Sequence, residues 1–346
     1  MEKQSSGMLK DTRKVTSKDV SREAGVSQSL VSLILNNIPG KKIKPETRKL
    51  VLETSERLGY RVNINARNMK SSRAGAIGLL STWNEDSFVF PPVIKGVKTV
   101  CANEDMAVVL CSGKRDSGEY DFVDYYYQSR IDGLIFISWV GVKQDGIIET
   151  LMKNNIPFVC IIGARDLENV SCVDVNFIKS GYMAAWHLAN RNCKSILYLI
   201  GDSPKELNYA ETERIKGAEE SAEENSISLE ISRGAVNNEK LDELAGKFNN
   251  IMKSGKYDGI IASSPICYFL LKVAVKYGIK IPKDIKVISI DNELFAPYLY
   301  PALTTVDQPF FEMGARAAEL LMKKINGFSG CEKIELDPNV TERETT

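Results

Sequence analysis

Residues 15–60 read VTSKDVSREAGVSQSLVSLILNNIPGKKIKPETRKLVLETSERLGY, and three short helix signals stand in that span with one glycine turn between the first two. Thr16 or Ser17 is placed to cap the first helix. Asp19, three residues after Thr16, completes a capping box, in which side chains satisfy N–H groups that a helix start leaves unpaired. Val20 and Ala24 give this helix a small apolar face, and Gly25 supplies the turn. Ser27 then caps a second helix over residues 28–36, with Val31 and Leu35 pointing inward and Gln28, Ser29 and Ser32 outward. Pro45 opens a third helix, where its missing N–H is no loss and Glu46 suits the positive end of the helix dipole. Val51, Leu52 and Leu58 continue its inner face. Two helices across a tight turn, the second short and polar on one side, make the pattern of a helix-turn-helix, whose second helix enters the DNA major groove. A helical bundle or a protein-docking module shares that pattern.

Charge separates these readings. Residues 1–73 carry 16 Lys and Arg against 7 Asp and Glu, while the rest of the chain carries 29 against 38. The zero net charge therefore joins a basic head to an acidic body, and a basic segment of this kind suits a polyanion partner. Lys41, Lys42, Lys44, Arg48 and Arg61 are placed to reach phosphates, which fix position without reading sequence.

The pieces KDVSREAGVS, VSLILN, PETRKLVLE and LGYRVN resemble, in order and spacing, the DNA-binding headpiece of the LacI/GalR family of bacterial transcription regulators. The resemblance continues through nearly all of the chain after about residue 14. The expected DNA contacts are Ser17, Ser27, Gln28, Ser29, Leu30, Ser32 and Lys44, followed by Asn63, Ala66 and Met69. Read by itself, NINARNMKSS is a short polar linker, too short to be helical alone in water. The resemblance implies a hinge helix that folds on DNA and pairs with its dimer partner, with Met69 at the position of a minor-groove wedge. The chain departs from the family at several places. Leu30 and Leu33 replace the usual Thr and Arg of the recognition helix, Val62 replaces a Pro, and Asn192-Cys193 replaces Gly-His. Ser264-Pro265 stands where Asn-Asp is common, which removes a carboxylate.

From Ala76 onward, apolar strand signals alternate with helix signals, the pattern of parallel sheets covered by helices on both faces. There are too many such units for one modest sheet, so the expected fold is α/β: a helix-turn-helix headpiece followed by a two-lobed body. The expected division is a lead-in at 1–14, a headpiece at 15–62, a hinge segment at 63–73 and an effector-binding and dimerisation domain at 74–346. Within that domain the first lobe takes about 74–165 and 307–327, and the second about 166–306 and 328–340. The resemblance implies a body like that of periplasmic sugar-binding proteins.

Ligands of open parallel sheets bind beyond the carboxyl ends of the strands. The loops there supply Ser81, Trp83, Phe88, Trp139, Arg165, Ser264 and Asp291, a set of aromatic faces and polar groups that suits a small sugar-like ligand. The resemblance adds Arg214 and Asp291 as effector contacts, residues 301–309 as a crossover between lobes, and Gln308 and Phe310 facing the cleft.

No GxGxxG or GxxxxGK[ST] follows any strand, which argues against nucleotide cofactors. His187 is the only histidine and sits in a helix-like apolar run, where a structural role is expected. The seven cysteines form no CxxC pair and read as buried reduced thiols. No catalytic residue, metal or cofactor is expected. The polar N-terminus lacks a signal-peptide core and no apolar run reaches about 18 residues, so the expected location is the cytoplasm. Together these features predict a homodimeric repressor of a pseudo-palindromic operator, controlled by a carbohydrate-like effector. The alternatives are control by a partner protein and an α/β enzyme.

Overall fold

The computed structural model describes residues 13–36, 43–61, 73–81, 89–114, 118–138, 146–201, 207–233 and 241–346. The chain divides into two compact units, Met1–Arg73 and Ala74–Thr346. The sequence-predicted contacts Asn63, Ala66, Met69, Trp83, Phe88 and Trp139 lie outside the described residues.

The first unit holds α1 (Ser17–Glu23), α2 (Gln28–Leu35) and α3 (Pro45–Arg57). Thr16 caps α1. The Asp19 carboxylate accepts the Thr16 backbone N–H at 2.9 Å and the Thr16 hydroxyl at 2.6 Å, and these bonds hold it near pKa 2. Ser27 caps α2, its hydroxyl accepting the Leu30 N–H at 3.2 Å. Val20, Ala24, Val31, Ile34 and Val51 form the core. Two expectations are corrected here. Ile34, not Leu35, is the second buried anchor of α2, because Val31 and Ile34 are three apart on one helix face. Leu52 is 46% exposed: the inner face of α3 runs Val51, Thr54, Ser55, and Leu52 lies about 100° round from Val51.

The second unit contains two six-stranded sheets. The first consists of β1 (Ala76–Ser81), β2 (Ala107–Cys111), β3 (Leu134–Ile137), β4 (Phe158–Ile161), β5 (Cys172–Val175) and β11 (Lys333–Leu336). Their order is β11-β5-β4-β3-β1-β2, and every pairing is parallel. The second consists of β6 (Ser195–Leu199), β7 (Ser228–Ser232), β8 (Gly259–Ser263), β9 (Lys286–Ile290), β10 (Thr304–Asp307) and β12 (Asn339–Thr341). Its order is β12-β10-β9-β8-β6-β7, with only β12 antiparallel.

Each sheet sends alternate residues to two cores, as the period of two requires. In β3, Ile135 and Ile137 join a core with α4 (Phe90–Asn103) and α11 (Phe310–Ile325). Leu134 and Phe136 face α5 (Asp121–Tyr127) and α6 (Ile147–Lys153). In β6, Leu197 and Leu199 pack with α9 (Leu241–Lys253) and α10 (Ser264–Tyr277). Ile196 and Tyr198 pack with α7 (Phe177–Asn190) and α8 (Tyr209–Glu224). Full burial of an apolar side chain such as Phe136 or Phe248 contributes about 1.5–3 kcal/mol.

Two helix pairs touch backbone to backbone. A Cβ on Gly181 would stand 1.8 Å from the Arg214 carbonyl oxygen, and one on Gly217 would stand 1.7 Å from that of Ile178, so α7 and α8 cross where only glycine fits. Gly96 and Gly314 do the same for α4 and α11.

The chain passes between the lobes at Val175–Phe177, Asp307–Phe310 and Leu336–Asn339. The pairing revises the expected lobe boundaries: residues 172–175 and 333–336 belong to the first sheet, because β11 pairs with β5 and β5 with β4. Leu336 is opposite Val175 at the carboxyl end of β5, and Asn339 is opposite Asp307 at the carboxyl end of β10. Three residue steps span at most about 11 Å. The carboxyl edges of both sheets therefore meet at the crossovers, and the cleft between the lobes is bordered by the ends of both sets of strands.

Six cysteines are buried, but Cys331 is exposed, contrary to expectation, because it lies on the approach to the edge strand β11. His187 is buried and its Nε2 hydrogen-bonds the Thr346 hydroxyl at 2.8 Å, a structural role. Among the described residues no helix is long and apolar enough to cross a membrane.

Candidate functional site

In the first unit, α2 turns Gln28 and Ser29 to solvent and leaves Ser32 and Leu33 partly buried. The Gln28 side-chain amide donates to the Ser17 hydroxyl at 2.7 Å, which fixes the start of α2 against the start of α1. Ser29 and Ser27 share a hydrogen bond at 3.0 Å. Lys44 is exposed. Leu30 differs from expectation: its side chain packs partly against the core of the unit, on the flank next to Val31 and Ile34. Leu33 is the leucine on the open face.

In the second unit, the carboxyl ends of the second sheet's strands gather around Arg214. This side chain is 2% exposed. Its Nη1 pairs with Glu211 at 2.7 Å, its Nη2 with Asp291 at 3.3 Å, and its guanidinium lies 5.1 Å from the Phe177 ring centre. The Tyr198 hydroxyl donates to Glu211 at 3.2 Å. Burial opposes the Arg214 charge, but the Asp291 and Glu211 carboxylates outweigh it and hold the pKa above the ordinary arginine value. Burial lifts the Asp291 carboxyl to about 6 against the pull of Arg214, with Glu211, Glu293 and Asp307 adding to the rise.

Asp291 has a φ of +77°, a left-handed conformation unusual outside glycine, directly after β9. Ser264 holds that turn: its hydroxyl donates to the Asp291 carbonyl at 2.9 Å and shares a hydrogen bond with Ser289 at 2.9 Å. Ser264 is fully buried, so it acts through Asp291 and is not itself an open group. Next to it, Asp307 accepts Asn292 at 2.9 Å and the Thr305 and Thr341 hydroxyls at 2.5 Å each.

The remaining expected residues spread over this border. Gln308 follows β10, is 8% exposed, and donates from Nε2 to Ser180 at 2.7 Å while its Oε1 has no partner among the described residues. Ser81 ends β1 and is opposite Ile137 in the register, so it adjoins Ser138, whose buried hydroxyl also has no partner among the described residues. Phe310 is buried in the first lobe's core. Arg165 follows β4 and pairs with Glu335 of β11, in a cluster with Asp174 and Tyr209, whose ring meets that of Phe177 at 5.9 Å. Burial raises Asp174 to about 6, against the N–H bonds from Val175 and Gly163.

Glu211, Tyr198 and Phe177 were not foreseen. Glu211 had a signal: it precedes Arg214 by three residues on one predicted helix, a spacing at which side chains meet.

Residues 16–63 match the model for "Bacterial regulatory proteins, lacI family", and residues 185–346 match that for "Periplasmic binding protein-like domain". The HTH-type transcriptional regulator RegA of Clostridium saccharobutylicum is 30% identical over 340 residues, covering 95% of this chain and 98% of the relative. The chain belongs to the LacI family of bacterial regulatory proteins. This LacI-family chain is also 26% identical to catabolite control protein A of Priestia megaterium, over 90% of the chain and 93% of that relative. Among solved structures, the lac repressor dimer bound to operator and the anti-inducer ONPF shares its fold, with a TM-score of 0.75 and 19% identity over 96% of this chain and 99% of the other. The CelR–cellobiose complex does likewise, at a TM-score of 0.65 and 23% identity over 96% and 100%. As a LacI-family member, the chain is a DNA-binding transcriptional regulator with a helix-turn-helix headpiece and a two-lobed periplasmic-binding-protein-like body.

Proposed function

We propose that the protein is a cytoplasmic homodimeric repressor, without enzymatic activity, whose hold on a pseudo-palindromic operator is set by a small neutral or weakly charged carbohydrate-like effector between the two lobes. The observation that carries the effector half is the buried Arg214–Asp291 pair at the carboxyl edge of the second sheet. A buried carboxylate beside a guanidinium is built to exchange hydrogen bonds with hydroxyls. Gln308, Ser81 and Arg165 border the same cleft, and Trp83, Phe88 and Trp139 complete the expected set with aromatic faces. The cellobiose carried by CelR supports the ligand class.

The DNA half rests on α2, with Ser17, Ser27, Gln28, Ser29, Ser32 and Lys44, and on a hinge at 63–73 holding Asn63, Ala66 and Met69. Effector changes operator affinity only so far as it binds the two lobe arrangements unequally. The dimer is supported by an exposed apolar patch in one short segment, Leu294, Phe295, Tyr298 and Tyr300, each at least 61% exposed. Exposed apolar surface of that density marks a contact face, and a two-fold dimer matches a pseudo-palindrome.

The test is operator selection from a random duplex pool, with and without a panel of sugars. A palindrome whose enrichment one sugar abolishes or induces supports the reading. Selective DNA binding indifferent to every sugar points instead to control by a partner protein, and no enriched sequence overturns it.

A further inference from the structure

The open face of α2 carries no charge, since QSLVSLIL has neither an acidic nor a basic residue. Its core side is fixed by Val31 and Ile34, with Leu30 and Leu35 packed at the flanks. At about 100° per residue, the opposite side carries Ser29, Ser32 and Leu33, ending at Asn36. Leu33 lies midway along this face, on the margin next to Leu30, partly buried but outside the core. The two serines of this face are short. A helix with such neighbours can approach the floor of a groove closely enough for a four-carbon side chain to touch base edges.

What such a face can read follows from the groove's chemistry. Guanine is best recognised by a bidentate Arg or Lys, and this face has neither. A leucine can neither donate nor accept a hydrogen bond, so placed against guanine O6 and N7 or a cytosine amino group it leaves them unpaired. The one apolar feature of the major groove is the thymine C5-methyl group. We infer that Leu33 is a specificity-determining residue that reads a thymine methyl in each operator half-site. The inference rests on α2 lying in the major groove.

Gln28 stands five residues earlier, at the start of α2 on the other margin of the exposed surface; its amide is held by Ser17, and its remaining donor and acceptor suit adenine. The half-site beneath α2 is accordingly A·T-centred. Affinity comes from phosphate contacts made elsewhere, among them Lys44.

The experiment uses the full-length protein and the operator recovered from a random duplex pool. Each thymine of a half-site is replaced in turn by deoxyuridine, which deletes the methyl and leaves base pairing intact, and binding is followed by fluorescence anisotropy. Burying one methyl-sized group corresponds to about fourfold in affinity. One position per half-site should show that loss, giving roughly fifteenfold when both are replaced. In Leu33→Ala the same replacement should change affinity less than twofold, and Leu33→Met should keep part of the sensitivity. Thermal unfolding of both variants separates lost contact from lost fold, and the uridine scan of the unaltered protein needs no variant. A flat scan, or a sensitivity that survives intact in folded Leu33→Ala, overturns the inference. Failure to enrich any DNA sequence would instead strike the DNA-binding reading itself.

Discussion

Replacing Arg214 by methionine keeps a long unbranched side chain and removes the one cation between two carboxylates. Asp291 and Glu211 have side chains only 6% and 18% exposed, so water cannot take over the role of the guanidinium. Removing one member of a buried ion pair costs about 3–5 kcal/mol, because the other charge is left uncompensated. Asp291 can relieve part of this by taking a proton, which favours the lower end, about 3 kcal/mol at pH 7.5. For a domain of this size that is a fall in Tm of about 6–12 °C.

Asp291 also sets how the loss depends on pH. Its folded pKa, about 6, lies above the ordinary 3.8. Its protonation therefore contributes stability in full below pH 3.8, and that contribution is lost as pH rises through 6. Without Arg214 the opposing pull is gone and this window moves upward, so the deficit of Arg214→Met should shrink between pH 7.5 and pH 5. Circular dichroism melting at both pH values measures it. Adding Asp291→Asn should recover most of the loss at pH 7.5, as expected when a buried pair is removed from both sides. A single variant that melts within about 2 °C of the parent, or a double variant that melts lower than the single one, refutes the reasoning.

Gly181→Ala should destabilise the body by about 3 kcal/mol or more, because its Cβ meets the Arg214 carbonyl. Gly246→Ala, with nothing within 4 Å on α9, should stabilise it by about 0.5–1 kcal/mol; urea unfolding compares them. Ser27→Ala removes the cap of α2 and should cost the headpiece about 1 kcal/mol, read from its melting and from weakened operator binding. Asp174, raised to about 6 by burial, contributes stability that is lost as pH rises through 6, so Asp174→Asn should flatten the body's stability profile between pH 4 and pH 7. Asp19, held near 2, acts in the opposite sense: its contribution is present above pH 3.8 and lost as pH falls through 2, and Asp19→Asn should remove that acid-side decline in headpiece melting.

What could be read from the sequence was whatever is local. The cap residues Thr16 and Ser27, the Pro45 start of α3 and the apolar runs of β3, β4 and β9 declare themselves within a few residues. The strands β5, β10, β11 and β12 do not. CVDV carries a buried aspartate that looks unlike a strand until Gly163 and Val175 are seen to satisfy it. KIEL alternates weakly at an exposed edge, and its strand identity comes from pairing with residues 161 positions earlier (Lys333 with Cys172). The lobe boundaries failed for the same reason. At the site, Arg214 and Asp291 lay on recognisable motifs, whereas the fate of Arg165 depended on Glu335, a partner supplied by the unforeseen β11. Leu30 and Leu33 are three apart in sequence, and only contact with the core, made by Leu30, tells which one faces outward.

The pairing of β11 and β12 also bears on how the protein is made. Each sheet takes an edge strand from residues 333–341, and residues 344–345 bond back to Val287, Ala302 and Thr304. Domains fold as units during synthesis, N-terminal first. The last headpiece helix ends at Arg57, whereas neither sheet has its last edge strand until the segment from Lys333 onward has emerged. A nascent chain thus carries a finished DNA-binding head on a body that has yet to form its lobes. Truncation anywhere before residue 333 should leave both lobes unfinished at once.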